Sequence, residues 1–170
     1  MPHTPLNSAD IEKWLRLSNA DNVGPVTFAK LLKHFGTIDG ALGSSAGEMA
    51  RLDGIGFKTA ERIASTRSKF DPTAELELAE KLGAWIINLA DERYPAALKR
   101  IYDPPPVLYI KGSLTRDDNL CIAIVGSRRC SLYGQEQASR FAHLLGSTGF
   151  TVCSGMARGI DTAAHQGALS

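Results

Sequence analysis

Apolar positions along this chain keep two periods, helical in its first third and strand-like toward its end. Ile11, Trp14, Leu15 and Leu17 fall on one face of a 3.6-residue repeat, so a first amphipathic helix is expected, with Ser8 or Asp10 as its N-cap. Asn22-Val23-Gly24-Pro25 reads as a turn, and Pro25 suits the first position of a helix over Val26–Phe35 that Gly36 closes. The plan repeats, with Leu52-Asp53-Gly54-Ile55-Gly56 as the turn and Phe57–Ser65 as the helix. After Asp71-Pro72, residues 73–83 form a glutamate-rich helical stretch, and Glu75, Glu77 and Glu80 read as its solvated face. Trp85–Leu89 is strand-like, Tyr94–Leu98 opens a short helix, and Asp103-Pro104-Pro105-Pro106 is too rigid to be helical. Val107–Ile110 follows as a strand, and Thr115–Asn119 as a charged surface turn. Residues 84–120 are expected to add strands to the later sheet or to cap its edge.

That later sheet begins at Cys121. Cys121–Val125 is a continuous apolar run, the pattern of a parallel strand covered on both faces. Gly126-Ser127-Arg128-Arg129 turns out of it into a helix starting near Ser131–Tyr133. Thr151-Val152-Cys153 is a second, shorter strand, with Ser154–Gly159 as its turn. A strand–helix–strand unit places both turns at one edge of the sheet, the edge where open α/β sheets hold ligands.

The paired glycine turns of the front end resemble a tandem helix-hairpin-helix module. Gly54-Ile55-Gly56-Phe57-Lys58-Thr59-Ala60 carries the better match; in the other hairpin Pro25 takes the place expected for the second glycine. Glycine lets the backbone approach a phosphate, helix-start N–H groups point toward it, and Lys58 with Arg62 add charge one turn apart. Such a contact at Gly54, Gly56 and Lys58 would read backbone only. Tight turns in a small helical bundle would need the same glycines, and Asp53 weakens the case for an anion.

Composition narrows the picture. Of the 170 residues, 44% are hydrophobic, no run approaches the ~18 residues that span a bilayer, and MPHTPLNSAD lacks the pattern of a secretory signal. A cytoplasmic location is the default, with no membrane partner. Cys121, Cys130 and Cys153 are odd in number and have no metal-site spacing, so they read as small apolar residues, two of them in buried strands. Residues 1–70 carry nine Lys/Arg against seven Asp/Glu, residues 71–120 six against nine, and residues 121–170 four against two, all four arginines. Basic ends permit local anion binding without demanding nucleic acid.

Glycine spacing after Val125 rules against a nucleotide fingerprint. The next glycine after Gly126 in that segment is Gly134, so neither G-x-G-x-x-G nor G-x-x-x-x-G-K-[ST] is present. What remains is an anion cradle: Gly126, Ser127, Arg128 and Arg129 from one turn, Ser154, Gly155 and Arg158 from the other. Arginine forks and serine hydroxyls suit phosphate oxygens. The blander alternatives are that Gly126, Gly155 and Gly159 only make tight turns and that Arg129 is a solvated charge. Tyr133 is expected to cover the strand beneath it more readily than to pack on a base. Asp161 and His165, four apart, read as a helix cap and a locally satisfied histidine, because no nucleophile or metal set accompanies them. His34 and His143 are expected on helix surfaces.

Four longer motifs run in order: YPAAL at Tyr94–Leu98, DPPPVLYIKG at Asp103–Gly112, IAIVGSRRCSLYG at Ile122–Gly134, and SGMARGIDTAAHQGAL at Ser154–Leu169. Together with the hairpin-like front end they resemble the DNA-processing protein A family, also called Smf. The resemblance implies an α/β chain with a helical SAM/helix-hairpin-helix-like domain over 1–70. The first part of a Rossmann-like parallel-sheet domain follows over 71–170 and is cut short at Ser170. It further implies a non-enzymatic single-stranded DNA-binding protein of natural transformation that protects incoming DNA and helps load the RecA recombinase. No cofactor is expected, and the full-length protein is expected to form a homodimer. The Gly126-Ser127-Arg128 turn is then where single-stranded DNA phosphates bind, with Arg128 the leading ligand. The competing reading is an enzyme of related fold that cleaves nucleoside monophosphates. It would need a downstream glycine-rich motif with a glutamate, which residues 1–170 do not contain.

Overall fold

The computed structural model describes residues 8–115 and 117–170 of the chain. It divides into two compact units, one ending at Ser113 and the other covering Leu114–Ser170. The first unit is mainly helical: α1 (Ser8–Ser18), α2 (Pro25–Phe35), α3 (Ile38–Gly43), α4 (Ala46–Met49), α5 (Phe57–Thr66) and α6 (Pro72–Lys81). The four apolar positions read as one face of α1 are all buried, Leu15 and Leu17 completely. The N-cap of α1 lies outside the described residues, and Asp10 stands in its first turn. Trp14 and Leu17 meet Phe28, Leu31, Met49, Ile55 and Ile63 in a single core, where the Trp14 and Phe28 rings lie 5.0 Å apart. Each such large side chain contributes about 1.5–3 kcal/mol by leaving water.

Helices α3 and α4 have no clear apolar period, and their caps define them instead. Thr37 accepts from Gly40 N at 3.0 Å, and Ser45 with Glu48 closes a reciprocal capping box. The guanidinium of Arg67 ties this region to α5, donating to Ala41 O at 3.0 Å and Ser44 O at 2.7 Å. Asp71 caps α6 by accepting from Thr73 N and Ala74 N.

Strands β1 (Ala84–Asn88) and β2 (Val107–Lys111) pair with each other, antiparallel, from Ala84↔Lys111 to Asn88↔Val107. This corrects the expectation that residues 84–120 extend the later sheet: the two strands form their own, within the first unit. Between them lies α7 (Ala96–Lys99). The connection is fixed by Tyr94, whose hydroxyl donates to Pro105 O at 2.9 Å, and by buried Asp91, which takes both Nε and Nη2 of Arg93. Arg93 lies over the Trp85 ring at 5.0 Å. The Tyr109 hydroxyl holds its proton above the usual phenol range, first through partial burial and then through the nearby charge of Glu75.

The second unit runs β3 (Cys121–Ala123), α8 (Leu132–Ser147), β4 (Thr151–Cys153) and α9 (Ile160–Ala168). Its strands are parallel, with Cys121↔Thr151, Ile122↔Val152 and Ala123↔Cys153 in register. The helices meet along a seam of small residues: Ala138, Ala142, Ala163 and Ala164 are buried, and Gly167 rests on the backbone of Ser139. The strands are not covered on both faces as expected. Cys121, Ala123 and Cys153 are exposed while Ile122 and Val152 are half-buried, so the pleat has one packed face, and neither strand cysteine is buried. Mixed α/β architecture, with a helical hairpin module ahead of a parallel strand–helix–strand–helix unit, is the fold of this chain.

Candidate nucleic-acid interface

Parallel pairing of β3 and β4 brings the turns after them to one edge, as the strand–helix–strand reading requires. The two are bonded together. Ser154 Oγ donates to Ile124 O at 2.7 Å, and Ile160 N donates to Ser127 O at 3.3 Å. Gly159, at φ 84°, lies against Ser127 O and the Arg128 backbone, so any side chain there would be both strained and obstructed. A Cβ on Gly126 would stand 2.6 Å from Ile160 Cγ1. These glycines therefore serve close packing between the turns, whatever else the turns do.

Over this base the candidate ligands face outward. Ser127, Arg128, Arg129, Gly155 and Arg158 are exposed, and Ser154 is half-buried. Ser127 Oγ accepts from Arg129 N at 3.1 Å, which keeps its own O–H free to donate. The Ser154 proton is committed to Ile124 O, so this hydroxyl has only lone pairs to offer and is a poorer anion ligand than Ser127. Among the described residues, Arg128, Arg129 and Arg158 make no ion pair. At the tip of the second turn Met156 adopts φ 54° and is exposed.

Three neighbouring residues differ from the sequence expectation. Tyr133 is 70% exposed and covers little of the strand; because Ser131 caps α8 by accepting from Gly134 N, the first turn projects Tyr133 and Leu132 beside the Arg128 turn. Asp161 is not the N-cap of α9. Gly159 holds that position, and buried Asp161 instead accepts from Ala157 N at 3.3 Å, steadying the second turn from inside. His165 is not locally satisfied, since its buried Nε2 has no partner among the described residues. His34 and His143 are exposed on helices, as expected.

In the helical unit the two hairpins are structurally alike in a register the sequence concealed. Asn22 (φ 65°) and Gly54 (φ 78°) open the turns, and Val23 and Ile55 follow, both buried, with their N–H groups reaching back to Ala20 O and Leu52 O at 3.1 Å. Gly24 and Gly56 are then the N-caps of α2 and α5, with no side-chain cap at either. Asn22 therefore replaces the first glycine, and Pro25 corresponds to Phe57 rather than to the second glycine. Asparagine is the residue that most readily substitutes for glycine at positive φ. Lys58 and Arg62 line one groove together, but Glu61 shares it, and Arg62 lies 3.9 Å from Asp21 of the first hairpin.

A helix-hairpin-helix front joined to a parallel unit with an arginine-bearing strand edge defines the class. Residues 85–170 match the family model described as DNA recombination-mediator protein A, and residues 8–59 match the DprA-like N-terminal HHH domain. The chain belongs to the DNA recombination-mediator protein A family. It is 32% identical over 160 residues to Protein Smf of Synechocystis sp., covering 92% of this chain and 40% of that protein. Over 163 residues it is 31% identical to Protein Smf of Escherichia coli, covering 94% and 41%. The X-ray structure of DNA processing protein A from Streptococcus pneumoniae superposes with a TM-score of 0.69 at 26% identity, covering 97% of this chain and 54% of that one. The chain thus spans about two fifths of the length of the Smf relatives it matches. Among the described residues no helix is long and apolar enough to cross a membrane, and no cluster of His, Cys, Asp and Glu has the makings of a metal site.

Proposed function

We propose that this chain is a DNA-binding portion of a DNA-processing protein, acting on single-stranded DNA without catalysing a reaction. The observation that carries the reading is the strand edge of the second unit. Two interlocked turns there present Arg128, Arg129 and Arg158 to solvent with no carboxylate paired to them among the described residues. Arg128 and the free Ser127 hydroxyl are the leading phosphate ligands, and exposed Tyr133 stands where an unstacked base can lie on its ring. The hairpin positions Gly54, Gly56 and Lys58 are a second, weaker backbone contact in the same proposal. By family resemblance the proposal extends to protection of incoming DNA in the cytoplasm, delivery to the RecA recombinase, and a homodimer in the longer protein.

Fluorescence anisotropy with a labelled single-stranded oligonucleotide tests it. Binding should weaken steeply with salt, and Arg128→Ala should cost about tenfold, as loss of one charge-assisted contact does. An Arg128→Ala chain with unchanged thermal melting that binds as tightly as the parent would refute the assignment.

A further inference from the structure

The helical unit carries a concentration of positive charge beside the second hairpin, on Lys30, Lys33 and Arg51, which the hairpin contact does not use. A cleft of about 490 Å³ opens between α2 and the turn after α4, lined by Lys30, Lys33, His34, Arg51, Leu52 and Asp53. Four of these six are basic types, drawn from two elements far apart in sequence. Lys33, His34 and Arg51 are exposed and make no ion pair among the described residues. Lys30 reaches across the cleft to donate to Asp53 O at 2.9 Å, which spends one of its three protons and holds the ammonium at the rim. Negative charge is present but outnumbered. Asp53 lines the cleft, and the Glu48 carboxylate, which accepts from Ser45 N and Oγ at 2.7 Å, keeps its charge within the field of Arg51.

We infer that this cleft is a further nucleic-acid site, beside the hairpin contact and separate from the strand-edge cradle, taking the phosphate backbone of the same polynucleotide. The inference rests on the reading that the chain binds DNA, but not on the strand-edge cradle. The cleft is too wide for one small anion, and its apolar surface comes from Leu52 and the stems of its own lysines and arginine, so every wall that could hold a ligand also carries a cation. Its cations are spread over both walls, as a backbone with repeated charges requires. It also borders the second hairpin directly. Lys30 Nζ lies 2.8 Å from where a Cβ on Gly54 would be, so a strand seated in the cleft passes the uncapped start of α5.

Salt-titrated anisotropy on the 170-residue chain distinguishes the two sites. The double variant Lys33→Ala/Arg51→Ala should bind a single-stranded oligonucleotide about tenfold more weakly. Its slope of log affinity against log salt should fall by about 1.4, at ~0.7 per phosphate contact. The charge-conserving pair Lys33→Arg/Arg51→Lys should restore both. If the Ala pair melts like the parent and keeps its affinity and slope while Arg128→Ala loses affinity, the cleft is not a site and the strand edge stands. Loss with the Ala pair but not with Arg128→Ala leaves the cleft and removes the cradle. No binding by the parent chain overturns both.

Discussion

Asp91 and Arg93 show what a short loop needs in order to hold two strands together. The Arg93 guanidinium bonds keep the Asp91 carboxyl below its usual range, at a residue only 6% exposed. A carboxylate with a lowered folded-state value stabilises above the ordinary aspartate range and loses that contribution as pH falls through the folded value. The chain should therefore soften in acid as the pH falls below the ordinary aspartate range. Asp91→Asn should lose about 2 kcal/mol near pH 7 and converge with the parent as the pH drops, because a bond to a charged partner has been weakened. Urea melts at several pH values check this, and parallel curves at every pH would remove Asp91 as the titrating group.

At the scale of elements, the α8–α9 seam decides how the second unit is built. Large apolar side chains of α8, Phe141 and Leu144, stay exposed while Ala138 and Ala142 face α9, so the contact depends on close backbone approach instead of bulk. Gly167 is its tightest point. Gly167→Ala drives a methyl into the Ser139 backbone and should destabilise this unit by about 1–3 kcal/mol. A thermal melt of the variant equal to that of the parent would show that the seam can open at no cost. The hairpins illustrate the limit of reading elements from sequence. Gly54-Ile55-Gly56 was legible because glycine at positive φ announces itself. The matching Asn22 was not, since asparagine is common in ordinary turns, and Pro25 drew the register one residue along. Thr37 and the Ser45–Glu48 box were the available signals for α3 and α4, whose apolar period is too short to see.

Taken whole, the molecule is uneven. The unit ending at Ser113 holds Trp14, Phe28, Leu31, Met49 and Ile63 in one core, whereas the fully described buried residues of α8 and α9 are mostly alanine. Amide exchange should accordingly be slowest in α1, α2 and α5 and measurably faster in α8 and α9. Equal protection in both sets would contradict this. The order of the elements and the strand-edge motif were readable because apolar runs ending in Gly-Ser-Arg and Ser-Gly turns are local features. The pairing of β1 with β2, the bare faces of Cys121 and Cys153, and the outward Tyr133 were not. Each depends on which distant segment packs where, and an apolar period cannot name its partner. One contact, Ile160 against Gly126, has a consequence in time. The first turn acquires its final shape only when a residue 34 positions later arrives to fill the space that glycine leaves. A chain emerging from the ribosome with β3 and α8 already formed still lacks the site. Under the proposed function, the Arg128 turn is ready for a phosphate only once Ile160 of α9 has packed against Gly126.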